Sequence, residues 1–177
     1  MNSRYFAMDF NKSSSLEQVF KKQLNIGLER AREKIGQYCA YQERSHREVR
    51  DKLYTMGLYE NQVEELITTL IADDFLNEER YARAFAGGKF RMKGWGKVKI
   101  KYGLKKNGVS DYCIRKALAE IDENDYMEKL YETGEKKMVL LNKEKNMLIR
   151  KSKVRQFLMQ RGFEMDLITD FLSGKQT

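Results

Sequence analysis

Seven positions recur three times along this chain with identical internal spacing. The first copy is Val49, Leu53, Gly57, Leu58, Val63, Leu66 and Ile67. A shift of 51 residues gives Ile100, Leu104, Gly108, Val109, Ile114, Ala117 and Leu118, and a further 54 gives Val154, Leu158, Gly162, Phe163, Ile168, Phe171 and Leu172. Chance can align a few apolar residues, but hardly three glycines in one slot as well. A period of this size marks a repeated supersecondary unit whose apolar faces are covered by its neighbours.

The spacing also says what the unit is. Val49 and Leu53 are i,i+4 neighbours, one apolar stripe on a helix. Ser45 with Glu48 is a capping-box pattern at its start. Gly57 follows the stripe, where a left-handed residue ends a helix cheaply, and Gly108 and Gly162 hold the same structural turn in the later copies. A second helix then carries Val63, Leu66, Ile67 and Leu70. Ahead of each pair lies a further helical stretch. These are Leu28–Gln42 (Ala31, Ile35, Tyr38 and Cys39 inward), Glu78–Phe90 (Tyr81, Ala82, Phe85 and Phe90 inward) and Asp125–Asn142 (Met127, Leu130, Tyr131, Met138 and Leu141 inward). Asn77 stands at an N-cap position before Glu78 and Glu79. The expected fold is all-α, three tandem three-helix repeats of helix-turn-helix type forming an elongated, curved array. The expected divisions are 1–27 (a tail containing Ser13–Ser15, with an extra amphipathic helix at Leu16–Leu24), 28–72, 73–121 and 122–177.

Composition agrees with helices. The 177 residues include no proline, 41% are apolar and 34% charged. No apolar run approaches the roughly 20 residues that span a bilayer, and Met1–Phe10 lacks the order of a secretory signal. Cys39 and Cys113 are too few for a disulfide framework and fit a reducing, cytoplasmic setting as small buried hydrophobes.

The net charge of +8 is concentrated. Lys89, Arg91, Lys93, Lys97, Lys99, Lys101, Lys105, Lys106, Arg115 and Lys116 face only Asp111 between Lys89 and Leu118. A second cluster, Lys143, Lys145, Arg150, Lys151, Lys153, Arg155 and Arg161, is opposed only by Glu144. Such charge can be a solvated helix face or a footprint for a polyanion or an acidic protein surface. Recurrence at equivalent places in a repeat favours binding. Lys97, Lys101 and Lys105 step by i,i+4 and predict a cationic ridge, with Val98, Ile100 and Leu104 buried between the lysines. Lysine ridges hold phosphates by charge, with weak sequence preference and strong salt dependence. Trp95 beside the ridge can stack on a base or pack on its own helix junction, and packing is the stronger expectation; Tyr102 is the alternative aromatic.

Catalytic chemistry finds little to work with. His46, the single histidine, has no partner that the sequence identifies. Cys39, Cys113 and His46 lack metal-ligand spacing, and Asp73–Asp74 and Glu78–Glu79 read as helix-start acids. Gly87–Gly88 and Gly94, Gly96 have no phosphate-loop spacing. No catalytic residue, cofactor or metal is expected.

These features together resemble the RecX family of regulators of the recombinase RecA, over roughly residues 28–172. The resemblance lies in Arg44-Ser45 with Glu48, Lys52, Leu53 and Gly57, and in Leu76-Asn77-Glu78-Glu79-Arg80-Tyr81-Ala82, similar to the family's Leu-Asp-Asp-Glu-Arg-Phe-Ala block. It continues in Gly96…Ile100…Leu104…Gly108-Val109 and Arg161-Gly162-Phe163 with Ile168. Asn77-Glu78 replaces the usual Asp-Asp, and no proline follows Trp95-Gly96.

The resemblance implies a non-enzymatic protein that binds the RecA–DNA filament and restrains strand exchange, ATP turnover and co-protease action in DNA repair and the SOS response. The expected partners are that filament and single- or double-stranded DNA met through the basic patch, with no membrane and the chain acting as a monomer. The charge map, not the resemblance, offers the contact candidates: Arg91, Lys93, Trp95, Lys97, Lys99, Lys101, Lys105, Lys106, Arg150, Lys151, Lys153 and Arg155. The alternative is a sequence-specific transcriptional regulator of helix-turn-helix type. Against it, Glu60–Leu70, Ser110–Ile121 and Glu164–Leu172 carry few side chains suited to base edges. An enzyme acting on nucleic acid is a third class, and the empty catalytic inventory opposes it.

Overall fold

The computed structural model describes residues 25–174. The tail and the amphipathic helix expected at Leu16–Leu24 lie outside the described residues. Within them there are nine α-helices and no strand. They are α1 (Leu28–Tyr41), α2 (His46–Thr55), α3 (Glu60–Ala72), α4 (Glu78–Lys93), α5 (Lys97–Lys106), α6 (Asp111–Ala119), α7 (Glu123–Leu140), α8 (Met147–Arg161) and α9 (Met165–Ser173). Each repeat contributes one triad. The helices fall into two compact units, α1–α3 in one and α4–α9 in the other, with residues 43–45 belonging to the second.

In the first unit, i,i+4 spacing sets one face of each helix inward. α1 buries Ala31, Ile35 and Cys39, α2 buries Val49 and Leu53, and α3 buries Val63, Leu66, Ile67 and Leu70. Met56, Leu58 and Leu76 close this core. Arg50 grips Glu64 across α2 and α3 through two hydrogen bonds of 2.8 and 3.0 Å.

The second unit joins two triads in one core. Tyr81, Ala82, Ala86 and Phe90 of α4, Ile100 and Leu104 of α5, and Cys113, Ile114 and Ala117 of α6 are continuous with Tyr126 and Leu130 of α7, Val154 and Leu158 of α8, and Ile168 and Leu172 of α9. Side-chain caps start four of these helices: Asn77 accepts from the Arg80 amide, Ser110 from Cys113, Asp122 from Asn124 and Asp125, and Asn146 from Leu148 and Ile149.

Two sequence expectations are corrected here. Val98 is exposed, because it lies 200° around α5 from the buried Ile100. In α7 the fully buried residue is Tyr126, where periodicity favoured Met127. The inward stripe runs Tyr126, Leu130, Gly134, and the Phe171 ring lies over Gly134 so closely that a Cβ there would sit 2.5 Å from it.

Candidate nucleic-acid interface

The basic helix α5 is fixed at its start by the third triad. At its start, the Gly96 amide donates to the Arg161 carbonyl (2.9 Å), the Lys97 amide to the Tyr126 hydroxyl (2.9 Å) and the Val98 amide to the Gly162 carbonyl (3.1 Å). Helix-start amides normally lack partners; here the third triad supplies them. Gly162, at φ +89°, caps α8 in the left-handed region. A Cβ on Gly162 would stand 2.2 Å from Cβ of Lys99, and one on Gly96 would stand 2.1 Å from the Gly162 carbonyl oxygen. Arg161 reaches back to the Lys93 carbonyl at 2.8 Å.

Tyr126 is the pivot of this joint. Its ring packs between Phe90 and Phe163, at 5.8 and 5.5 Å between centroids. Its hydroxyl donates to Glu164 at 2.5 Å while accepting the Lys97 amide. Burial first, then the Glu164 carboxylate, push the phenol far above its usual range, so it stays a donor.

The motif before α4 is equally occupied. Glu78 accepts from the Ser110 amide (2.7 Å) and hydroxyl (3.0 Å) and lies 3.4 Å from Sγ of Cys113. Burial pushes that thiol up. Glu79 holds Arg83 (2.6 Å) and Lys116 (3.4 Å), Arg80 holds Glu43 (2.6 Å), and the Tyr81 hydroxyl accepts from Asn107 (2.9 Å).

The cations divide into two groups. Lys97 is half-buried, its ammonium 2.5 Å from Glu123 and 4.6 Å from the Tyr126 ring centroid. Lys99 donates to the Gln160 carbonyl (3.0 Å) and lies over Trp95. Trp95 is half-buried, edge-on to Phe85 with Lys89 and Lys99 at its ring, in its own helix junction. Arg150 donates to the Met138 carbonyl and Lys153 to Glu144 (2.8 Å). Arg91 lines a groove with Asp125, Glu128 and Glu132.

The other group faces outward. An i,i+4 step turns 400°, so Lys97, Lys101 and Lys105 drift by about 40° each from the core edge toward solvent. The open face of α5 therefore carries Val98, Lys101, Tyr102, Lys105 and Lys106. Among the described residues Lys101 makes no direct ion pair; Lys105 meets Asp111 at 3.1 Å and pulls that carboxyl below its usual range. Lys93 at the end of α4 and Arg155 on α8 are also exposed, and Lys151 is half-exposed. The face suits a polyanion, with Tyr102 the aromatic in reach of it rather than Trp95.

Nε2 of His46 is buried without a hydrogen-bond partner. Among the described residues no group of three or more His, Cys, Asp or Glu side chains could hold a metal ion, and no helix is long and apolar enough to cross a membrane. Sequence reasoning missed Tyr126, Glu123 and Glu164, whose partners lie 26 to 38 residues away along the chain.

Known proteins share this arrangement. Residues 77–118 match the family model of the RecX second three-helix domain, and residues 123–172 match that of the third. The regulatory protein RecX of Clostridium perfringens (strain 13) is 32% identical over 124 residues, 70% of this chain and 58% of the relative. That of Bacillus licheniformis is 26% identical over 165 residues, 91% of this chain and 62% of the relative. The chain thus spans about three fifths of the length of these curated relatives. The crystal structure of RecX from Lactobacillus salivarius superposes with a TM-score of 0.73 at 26% identity, over 84% of this chain and 96% of that one. A second crystal structure of regulatory protein RecX, 17% identical with a TM-score of 0.75, covers 97% of this chain and 81% of that one and shares the fold. The two matched domains are the triads α4–α6 and α7–α9, and together with the 32% identical relative these matches place the chain in the RecX family.

Proposed function

We propose that this chain is a non-enzymatic cytoplasmic regulator that engages a RecA–DNA filament as a monomer and restrains the recombinase, its ATP turnover and its co-protease role in DNA repair and the SOS response. The observation that carries the reading is the open face of α5, where Lys101, Tyr102, Lys105 and Lys106 stand in solvent on a helix clamped at its start. The name regulatory protein RecX carried by its relatives supports the regulatory role. The divisions 28–72, 73–121 and 122–177 are proposed as its working modules, the middle one bringing the charge to DNA. Lys93, Lys151 and Arg155 extend the contact; Lys97, Lys99 and Arg150 support it from within the fold, and the exposed Lys153 is held by Glu144.

A filament contact of this kind releases counterions, so it weakens steeply with salt. Co-sedimentation with RecA, with and without single-stranded DNA and across a salt series, tests the reading. The expected result is pelleting with the nucleoprotein filament that falls as salt rises, together with slower ATP turnover. Absence of filament binding at every salt concentration, or tight salt-resistant binding to one duplex sequence only, would overturn it.

A further inference from the structure

The turn joining α7 to α8 leaves large apolar side chains in solvent. Leu140 is 76% exposed at the end of α7, and Leu148 is 79% exposed in the first turn of α8. Val139, Met147 and Ile149 beside them are exposed as well. Single exposed aliphatics are ordinary on protein surfaces; five within the last turn of one helix and the first turn of the next are not scattered.

The backbone that presents them is fixed. The Asn146 side chain accepts the Leu148 and Ile149 amides at 3.0 and 3.3 Å, and the Asn146 amide donates to Glu144 at 3.2 Å. Lys153 holds the other Glu144 oxygen at 2.8 Å, and Arg150 clasps the Met138 carbonyl through Nε and Nη2. These bonds hold the turn from inside, and a rigid turn loses little freedom on binding. The charges left over are cationic. Among the described residues Lys143, Lys145 and Lys151 make no ion pair, while Glu144, the one carboxylate of the turn, is taken by Lys153. An apolar centre with an unpaired cationic rim complements a protein groove that is apolar within and edged by carboxylates. Nucleic acid would use the lysines and leave the aliphatics wet.

We propose that the α7–α8 turn is a protein-docking tip, with Leu140 and Leu148 entering an apolar, acid-edged groove of the partner and Lys143, Lys145 and Lys151 meeting its carboxylates. This rests on the filament reading and deepens it, giving the RecA contact to the third triad and the DNA contact to α5. The test is the full chain carrying Leu140→Ser and Leu148→Ser. It is titrated against RecA filaments preassembled on single-stranded DNA, against the same DNA bare, and against anionic phospholipid vesicles, with helical content checked by circular dichroism. Expected are a loss of about tenfold or more on the filament, as for truncated interface anchors, no change on bare DNA and no vesicle binding. Leu140→Met with Leu148→Met should keep filament binding. Undiminished filament affinity of the serine variant, an equal loss on bare DNA, or wild-type vesicle binding that the serine variant abolishes would each overturn the tip. If the wild type itself ignores the filament, the filament reading fails and the tip falls with it.

Discussion

Gly96 and Gly162 meet backbone to backbone: a side chain on Gly96 would begin 2.1 Å from the Gly162 carbonyl oxygen, which is already accepting the Val98 amide. No rotamer relieves that clash, because the obstacle is main chain. Gly96→Ala should therefore cost at least about 2 kcal/mol, the scale of an overpacked core, and loosen the third triad from the second. Gly88→Ala is the contrasting change, since nothing lies within 4 Å of that position inside α4. It should gain about 0.5–1 kcal/mol through helix propensity. Urea unfolding monitored by circular dichroism distinguishes the two signs, and a neutral Gly96→Ala would refute the close approach.

Tyr126→Phe keeps the ring between Phe90 and Phe163 and removes only the hydroxyl. It strands the Lys97 amide and leaves Glu164 without its donor. A loss of about 1–3 kcal/mol is expected, the penalty of an unsatisfied buried group. Stability equal to wild type would show that water replaces the hydroxyl without penalty.

Acid should destabilise the second unit. Glu132 accepts from Lys129 (2.7 Å) and Lys136 (2.5 Å), and these hydrogen bonds lower its pKa from the usual 4.5 to about 2. Lys153 lowers Glu144 and Lys105 lowers Asp111 in the same direction. A carboxyl whose folded pKa lies below its unfolded one stabilises above the unfolded value and loses that contribution as pH falls toward the folded one. Thermal midpoints should fall from about pH 4.5 to about 2, and Glu132→Gln should flatten part of the slope. The amplitude should be small and should shrink in salt, because these pairs are open to solvent. Midpoints that rise on acidification would contradict the assignment.

Lysines on α5 should separate by role. Lys101→Glu with Lys105→Glu should weaken single-stranded DNA binding and flatten the log affinity against log salt slope by about 1.4, roughly 0.7 per phosphate contact, while helical content holds. Lys97→Ala should cost about 1 kcal/mol of stability, modest because its partner Glu123 is largely exposed, with little change in the salt slope. Equal salt slopes for the double variant and the wild type would remove α5 from the contact.

Much of the fold was legible from spacing, because i,i+4 stripes and a glycine slot depend only on local helix geometry. The template residues Val154, Leu158 and Ile168 are fully buried, and Gly57, Gly108 and Gly162 all take positive φ. What spacing could not show is which residues a distant segment occupies. Lys97 looked like the head of a ridge until Glu123 and Tyr126 came from the next triad to claim it. The α7 stripe was misplaced because its third member is Gly134, which carries no apolar signal yet lies under Phe171. Val98 reads as a core aliphatic by type, and only its angle around the helix puts it in solvent.

Glu78, Glu79, Arg80 and Tyr81 each reach another segment of the chain. A family signature made of such residues certifies a scaffold and is silent about its target. Lys101, Tyr102 and Leu148 take no part in those bonds, so exchanging them should leave the scaffold standing.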